Sequence, residues 1–68
     1  MQKTIQIEGM SCGQCTARVA QVLNAIDGVT AEVSLEDKAA YLILEKEVSD
    51  ELLIATVTEA GYQVISVA

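Results

Sequence analysis

The hydrophobic residues of this chain recur with two different spacings, which alternate along the sequence. Ile5 and Ile7 alternate with polar neighbours, a pattern typical of a half-buried strand. From residue 13 to residue 26 the apolar positions recur every three or four residues, which predicts an amphipathic helix. Ser11 is a candidate N-cap for this helix, and Gly28 is suited to end it.

The second half of the chain shows the same two spacings. Residues 29–35 alternate as a second strand, residues 36–38 form a turn, and residues 39–45 return as a third strand. Ser49 is predicted to cap a second helix with Leu53 and Val57 on its buried face, and residues 62–67 to form a last strand. Because the third strand is apolar on both faces, we expect it inside the sheet, with one face an exposed apolar patch or an association surface.

The predicted order β-α-β-β-α-β is the pattern of a ferredoxin-like α+β fold. In this fold two helices cover one face of a four-stranded antiparallel sheet. We expect residues 1–68 to form a single domain, since a chain of 68 residues leaves no room for a second one.

The balance of charge and hydropathy excludes several classes of function. Ten acidic residues against four scattered basic ones give a net charge of −6, which argues against nucleic acid and against an anionic membrane surface. The longest apolar run covers residues 39–44, far below the ~20 residues that span a bilayer. No signal-peptide pattern opens the chain, so we expect a cytoplasmic protein without direct membrane insertion.

Cys12 and Cys15 are the only cysteines, and the chain has no histidine. In a reducing compartment, such a pair favours metal or redox chemistry over a structural disulfide. At a helix start the free amides favour the thiolate, and Gly13 would let the loop tighten around a bound ion. Two thiols cannot complete a four-ligand zinc cage alone, whereas a soft monovalent ion such as Cu(I) needs no further ligand.

Residues 9–15 read Gly-Met-Ser-Cys-Gly-Gln-Cys and resemble the Gly-Met-Thr/Ser-Cys-x-x-Cys signature of the heavy-metal-associated domain family. The resemblance implies a copper chaperone that binds Cu(I) through Cys12 and Cys15. It also implies transfer by thiolate exchange to a copper-transporting P-type ATPase. In the same way it implies that Met10 is a buried support of the metal loop, that Ser11 caps the helix and that Tyr62 lies close to the loop. Relatives selective for Zn(II) or Cd(II) commonly carry Asp where this chain has Ser11, which favours Cu(I).

Three other interpretations stay open. The first is an N-terminal metal-binding domain of a copper-transporting ATPase, the second a thiol-disulfide oxidoreductase and the third a mercury-binding protein. The absence of Trp and Pro argues against a thioredoxin-like enzyme, and we expect no enzymatic activity. We expect a monomer without metal, which a shared ion could bridge into a dimer.

Overall fold

Six segments form regular elements in the computed structural model, which describes residues 1–68. The strands and helices are, in chain order, β1 (Gln2–Glu8), α1 (Gly13–Asn24), β2 (Val29–Ser34), β3 (Ala39–Leu44), α2 (Asp50–Glu59) and β4 (Gln63–Val67). The strands form one sheet in the order β2-β3-β1-β4, and every neighbouring pair is antiparallel. The predicted ferredoxin-like fold is therefore confirmed.

The third strand lies inside the sheet, as its apolar sequence predicts. Ala40, Leu42 and Leu44 point into the core and are buried, whereas Tyr41 and Ile43 on the opposite face are 43% and 55% exposed. The alternation of side chains along a strand explains this division. The outer face of the sheet thus carries the predicted apolar patch.

The core lies between the sheet and the two helices. Val19 and Leu23 of α1, and Leu53 and Val57 of α2, have no exposed surface. A spacing of four residues places each pair on one face of its helix, and burial of each such side chain contributes about 1.5–3 kcal/mol. No buried polar or charged residue interrupts this interior.

Three elements end earlier than their hydrophobic patterns predict, and β3 does so by one residue, at Leu44 instead of residue 45. α1 ends at Asn24 instead of residue 26, because the chain turns there toward Gly28, which has a φ of +83°. β2 ends at Ser34, whose hydroxyl accepts a hydrogen bond of 3.2 Å from the Asp37 amide. That bond starts the turn before Leu35, which is 39% exposed.

Both edges of the sheet are interrupted. On the β2 edge, the Asn24 side chain donates to the Ala31 carbonyl at 3.1 Å and accepts from the Ala31 amide at 2.8 Å, as a neighbouring strand would. On the β4 edge, the pairing with β1 shifts between Val64 and Ser66, which leaves Ile65 as an extra residue. Such irregularities keep a sheet edge from pairing with another chain.

The two ends of the chain lie toward the start of β1. Met1 exchanges backbone hydrogen bonds with Leu44, and Ala68 exchanges them with Thr4. The loop that follows β1 is at the other end of this strand. Neither helix combines the length and the apolar character needed to cross a membrane.

Candidate metal centre

The two thiols meet in the loop between β1 and α1. The Cys12 and Cys15 sulfurs are 3.7 Å apart, too far for a disulfide bond of ~2.0 Å, and both cysteines are free. Cys12 is exposed and Cys15 is half-buried. The pair therefore faces one small volume at the surface of the protein.

Backbone geometry at the end of β1 brings the sulfurs together. Gly9 has a φ of +100°, a conformation that favours glycine, and it turns the chain out of the strand. Met10 then points into the core and is 7% exposed. Cys12 has an extended backbone, and its carbonyl accepts hydrogen bonds from the amides of Cys15 and Thr16 in the first turn of α1.

The prediction that Ser11 caps α1 is wrong. The helix begins at Gly13, so the N-cap position falls on Cys12, whose side chain makes no capping hydrogen bond. Instead the Ser11 hydroxyl lies 3.9 Å from the Cys15 sulfur. Because the first amides of a helix have no partner within it, they create a positive environment beside the thiols.

Neighbouring groups of the protein stabilise the thiolate form of Cys15. The backbone amide of Ser11 and the hydroxyl of Tyr62 donate hydrogen bonds to it and lower its pKa from 9.0 to about 6, although partial desolvation acts against this. The thiol of Cys12 and the hydroxyl of Ser11 make smaller contributions to this lowering of the pKa. Cys15 is therefore mainly a thiolate at neutral pH, the form that binds metals.

Tyr62 reaches Cys15 from the corner between α2 and β4. The Tyr62 amide donates to the Val57 carbonyl at 3.3 Å and the Gly61 amide to the Thr58 carbonyl at 3.0 Å, which together form a Schellman motif. Gly61 has the positive φ of +102° that this motif requires. The hydrogen bond to Cys15 raises the pKa of the Tyr62 hydroxyl, as expected for a donor beside a thiolate.

Arg18 is a neighbour of the site that the sequence patterns do not single out. Its Nε donates to the Ala60 carbonyl at 3.4 Å and so joins α1 to the corner that carries Tyr62. Arg18 follows Cys15 by three residues and therefore shares a side of the helix with it. This spacing could indicate that Arg18 lies near the thiols, but it does not indicate that the end of α2 lies opposite Arg18.

Gly13 lies between the two cysteines and is exposed. Its φ is not positive, and a Cβ atom placed on it would meet no heavy atom within 4 Å beyond its chain neighbours and the backbone of its own helix. Neither the backbone conformation nor the packing of the loop therefore requires glycine at this position.

The chain offers no third ligand near the sulfurs. No group of three or more His, Cys, Asp or Glu side chains could hold a metal ion, so a closed four-ligand site cannot form within one molecule. Two sulfurs 3.7 Å apart could both contact a single soft ion. Such an arrangement leaves one side open to a further ligand.

Comparison with known proteins gives consistent matches over nearly the whole chain. Residues 4–63 match the family described as "Heavy-metal-associated domain". A copper chaperone CopZ of Staphylococcus aureus is 38% identical over 66 residues, which cover 94% of this chain and 97% of that protein.

Two solved structures have the same fold. A CopZ metallochaperone is similar with a TM-score of 0.89 and 34% identity, over 96% of this chain and all of that one. The N-terminal domain of a potential copper-translocating P-type ATPase from Bacillus subtilis, solved in its Cu(I)-loaded state, has a TM-score of 0.82 and 32% identity. This match covers 93% of the present chain and 81% of that domain.

Proposed function

The chain belongs to the heavy-metal-associated domain family, and we propose that it is a copper chaperone within that family. It holds Cu(I) between Cys12 and Cys15 and passes the ion on by thiolate exchange. The observation that carries this proposal is the pair of free sulfurs 3.7 Å apart in a chain without a third metal ligand. The 38% identity to a copper chaperone supports it.

The geometry suits transfer better than storage. An ion held by two sulfurs has an open side, and Cys12 leaves this side accessible to an incoming thiolate. A third thiolate can bind before either original bond breaks, so the ion need not become free in solution. Only metal–sulfur bonds form and break in this process, and we therefore assign the chain no enzymatic activity.

The proposed partner is the metal-binding domain of a copper-transporting P-type ATPase. The similarity to such an N-terminal domain supports this assignment, because two domains of one fold can bring equivalent thiol loops together. A cytoplasmic location follows from this role. The same similarity also leaves a metal-receiving ATPase domain as the alternative within the family.

The experiment is an anaerobic titration of the reduced protein with Cu(I), Zn(II) and Hg(II) in competition with chelators. We expect one tightly bound Cu(I) per monomer and much weaker binding of Zn(II). The Cys12→Ser/Cys15→Ser double variant should lose Cu(I) binding and keep its circular dichroism spectrum. A Gln14→Ala variant serves as the control, because it alters the same loop and keeps both thiols.

Two results would contradict the proposal. One is Zn(II) binding as tight as that of Cu(I), and the other is catalytic turnover in the reduction of insulin, which would indicate a thiol-disulfide oxidoreductase. Size-exclusion chromatography during the titration tests the expected apo monomer and shows whether a shared ion bridges two molecules.

A further inference from the structure

The turn between α1 and β2 carries the one Asp-Gly pair of the chain, Asp27-Gly28. The Asp27 side chain is 93% exposed, and Gly28 has no side chain that would shield its peptide nitrogen. The Gly28 carbonyl accepts a hydrogen bond of 2.8 Å from the Glu45 amide, whereas the Gly28 amide donates none within the protein. This nitrogen is therefore free to react with the neighbouring carboxyl group.

The reaction open to such a pair is the isomerisation of aspartate. The Gly28 nitrogen attacks Cγ of Asp27, and the carboxyl hydroxyl leaves with the amide proton as water, which closes a succinimide ring. Water then opens the ring at the Asp27 main-chain carbonyl and leaves an isoaspartyl residue, in which Gly28 is bonded to the former side chain. The water lost in the first step is regained in the second, so the mass is unchanged and no oxidant or reductant takes part.

Lys46, in the segment after β3, contacts both residues of this pair. Its Nζ donates a hydrogen bond of 2.7 Å to Oδ2 of Asp27. Its aliphatic chain lies against Gly28, so that a Cβ atom placed on Gly28 would be 2.9 Å from Cγ of Lys46. The hydrogen bond and the charge of Lys46 hold the pKa of the Asp27 carboxyl group below its ordinary value. Because ring closure starts from the neutral carboxyl group, this contact should slow the reaction.

We propose that Asp27-Gly28 is a site of spontaneous isoaspartate formation and that Lys46 restrains the reaction by binding the Asp27 carboxylate. The product carries one additional backbone atom directly before β2 and a free main-chain carboxylate. That carboxylate is the group that protein-isoaspartate methyltransferases esterify, so the aged protein becomes a substrate for this class of enzyme. The inference is independent of the proposed function, because this turn follows the end of α1 that lies away from the thiols.

The test ages the reduced protein at neutral pH and physiological temperature. Isoaspartate is located by peptide mapping with mass spectrometry and counted by enzymatic methylation with a protein-isoaspartate methyltransferase. We compare the wild type with Lys46→Met, which removes the ammonium group and keeps an aliphatic chain against Gly28. Lys38→Met is the matched control, because it makes the same substitution in a different exposed turn. Asp27→Glu gives the background of the methylation assay, since its longer side chain would have to close a larger ring.

In the native wild type, isoaspartate should accumulate at Asp27 and not at Asp37, because the Lys38 amide after Asp37 donates to the Leu35 carbonyl at 3.3 Å. Lys46→Met should accelerate the reaction at Asp27 by about twofold to fivefold, a modest factor because an exposed ion pair contributes little. Added salt should accelerate the wild type toward the rate of Lys46→Met and leave that variant unchanged, since salt screens exposed charges. Lys38→Met should react at Asp27 as the wild type does.

The inference is overturned if Asp27 keeps its normal linkage throughout ageing, or if native Lys46→Met reacts at the wild-type rate. It is also overturned if the two proteins differ by the same factor when unfolded in urea, where the contact with Lys46 is absent. The salt dependence of the wild type decides the case in which Lys46→Met lowers the denaturation midpoint, because that measurement needs no variant. A wild-type rate that salt does not change would then contradict the role given to Lys46.

Discussion

At the scale of single residues, the two sulfurs are unequal. Cys15 is half-buried beside the Ser11 amide and the Tyr62 hydroxyl, whereas the sulfur of Cys12 has only Cys15 as a hydrogen-bonding neighbour. Hydrogen bonds to a thiolate stabilise it and make it a less basic ligand. In the proposed transfer, the exposed Cys12 would be the sulfur that an incoming thiol reaches first.

This difference gives a pH prediction. We expect Cys15 in the apo protein to titrate near pH 6, and Tyr62→Phe to raise this value because one hydrogen bond to the thiolate is lost. The measurement is the ultraviolet absorbance of the thiolate as a function of pH under anaerobic conditions. Tyr41→Phe is the matched control, since the Tyr41 hydroxyl donates to Asp37 at 2.6 Å and not to a thiol. Equal shifts in both variants would contradict the role given to Tyr62.

The same titration is linked to folding. The pKa of Cys15 is lower in the folded protein than the ordinary value of 9.0. The thiolate therefore contributes stability that is complete above about pH 9 and declines as the pH falls toward 6. Cys15→Ser should remove this part of the pH dependence.

At the scale of secondary structure elements, the side chain of Asn24 makes the hydrogen bonds that a neighbouring strand would make at the β2 edge. It exchanges two hydrogen bonds with Ala31 on the free edge of β2 and also donates to the Ala20 carbonyl at 2.8 Å. A residue at the end of α1 thereby satisfies part of the free sheet edge. This contact connects a helix end with an edge strand that follows it by only a few residues.

We expect Asn24→Ala to lower the free energy of unfolding by about 1–2 kcal/mol, because exposed hydrogen bonds of this kind contribute modestly. It should also increase self-association, because the β2 edge becomes free to pair. Denaturant unfolding and light scattering measure the two effects. Gln21→Ala, an exposed amide one turn earlier in α1, is the control and should change neither quantity.

The element pattern could be predicted from hydrophobic spacing because each element buries one face. What the spacing could not predict are contacts between residues distant in the chain. Tyr62 was placed near the thiols only by family resemblance, and its hydrogen bond to Cys15 depends on how α2 ends. The cap at Ser11 was mispredicted because a serine before a helix is a common cap, while the local backbone put Cys12 there. The spacing of Arg18 from Cys15 could not predict its contact with α2, because its partner is a backbone carbonyl 42 residues away.

At the scale of the whole molecule, stability and metal chemistry reside in different regions. The core cluster is entirely apolar, whereas Cys12 is exposed and Cys15 only packs against the core. A protein of this size buries a limited part of its surface and has little stability in reserve. Changes in the interior should therefore affect folding first, and changes in the loop should affect metal binding first.

A pair of adjacent leucines tests this division. Leu53 in α2 has no exposed surface, and Leu53→Ala should cost about 2–5 kcal/mol of the free energy of unfolding, enough to unfold much of the protein. Leu52 is 47% exposed, and Leu52→Ala should cost less than about 1 kcal/mol. Chemical denaturation measures both values. Similar losses in the two variants would show that the interior is not packed as described.

The position of the chain ends has a consequence for how such a domain can be used. Backbone hydrogen bonds hold Met1 beside Leu44 and Ala68 beside Thr4, while the thiols follow the far end of β1, a strand about 20 Å long. A linker, an affinity tag or a neighbouring domain fused at either terminus would therefore emerge away from the sulfurs. The same fold can therefore serve as a separate protein or as one domain of a longer polypeptide without any change to its thiol loop.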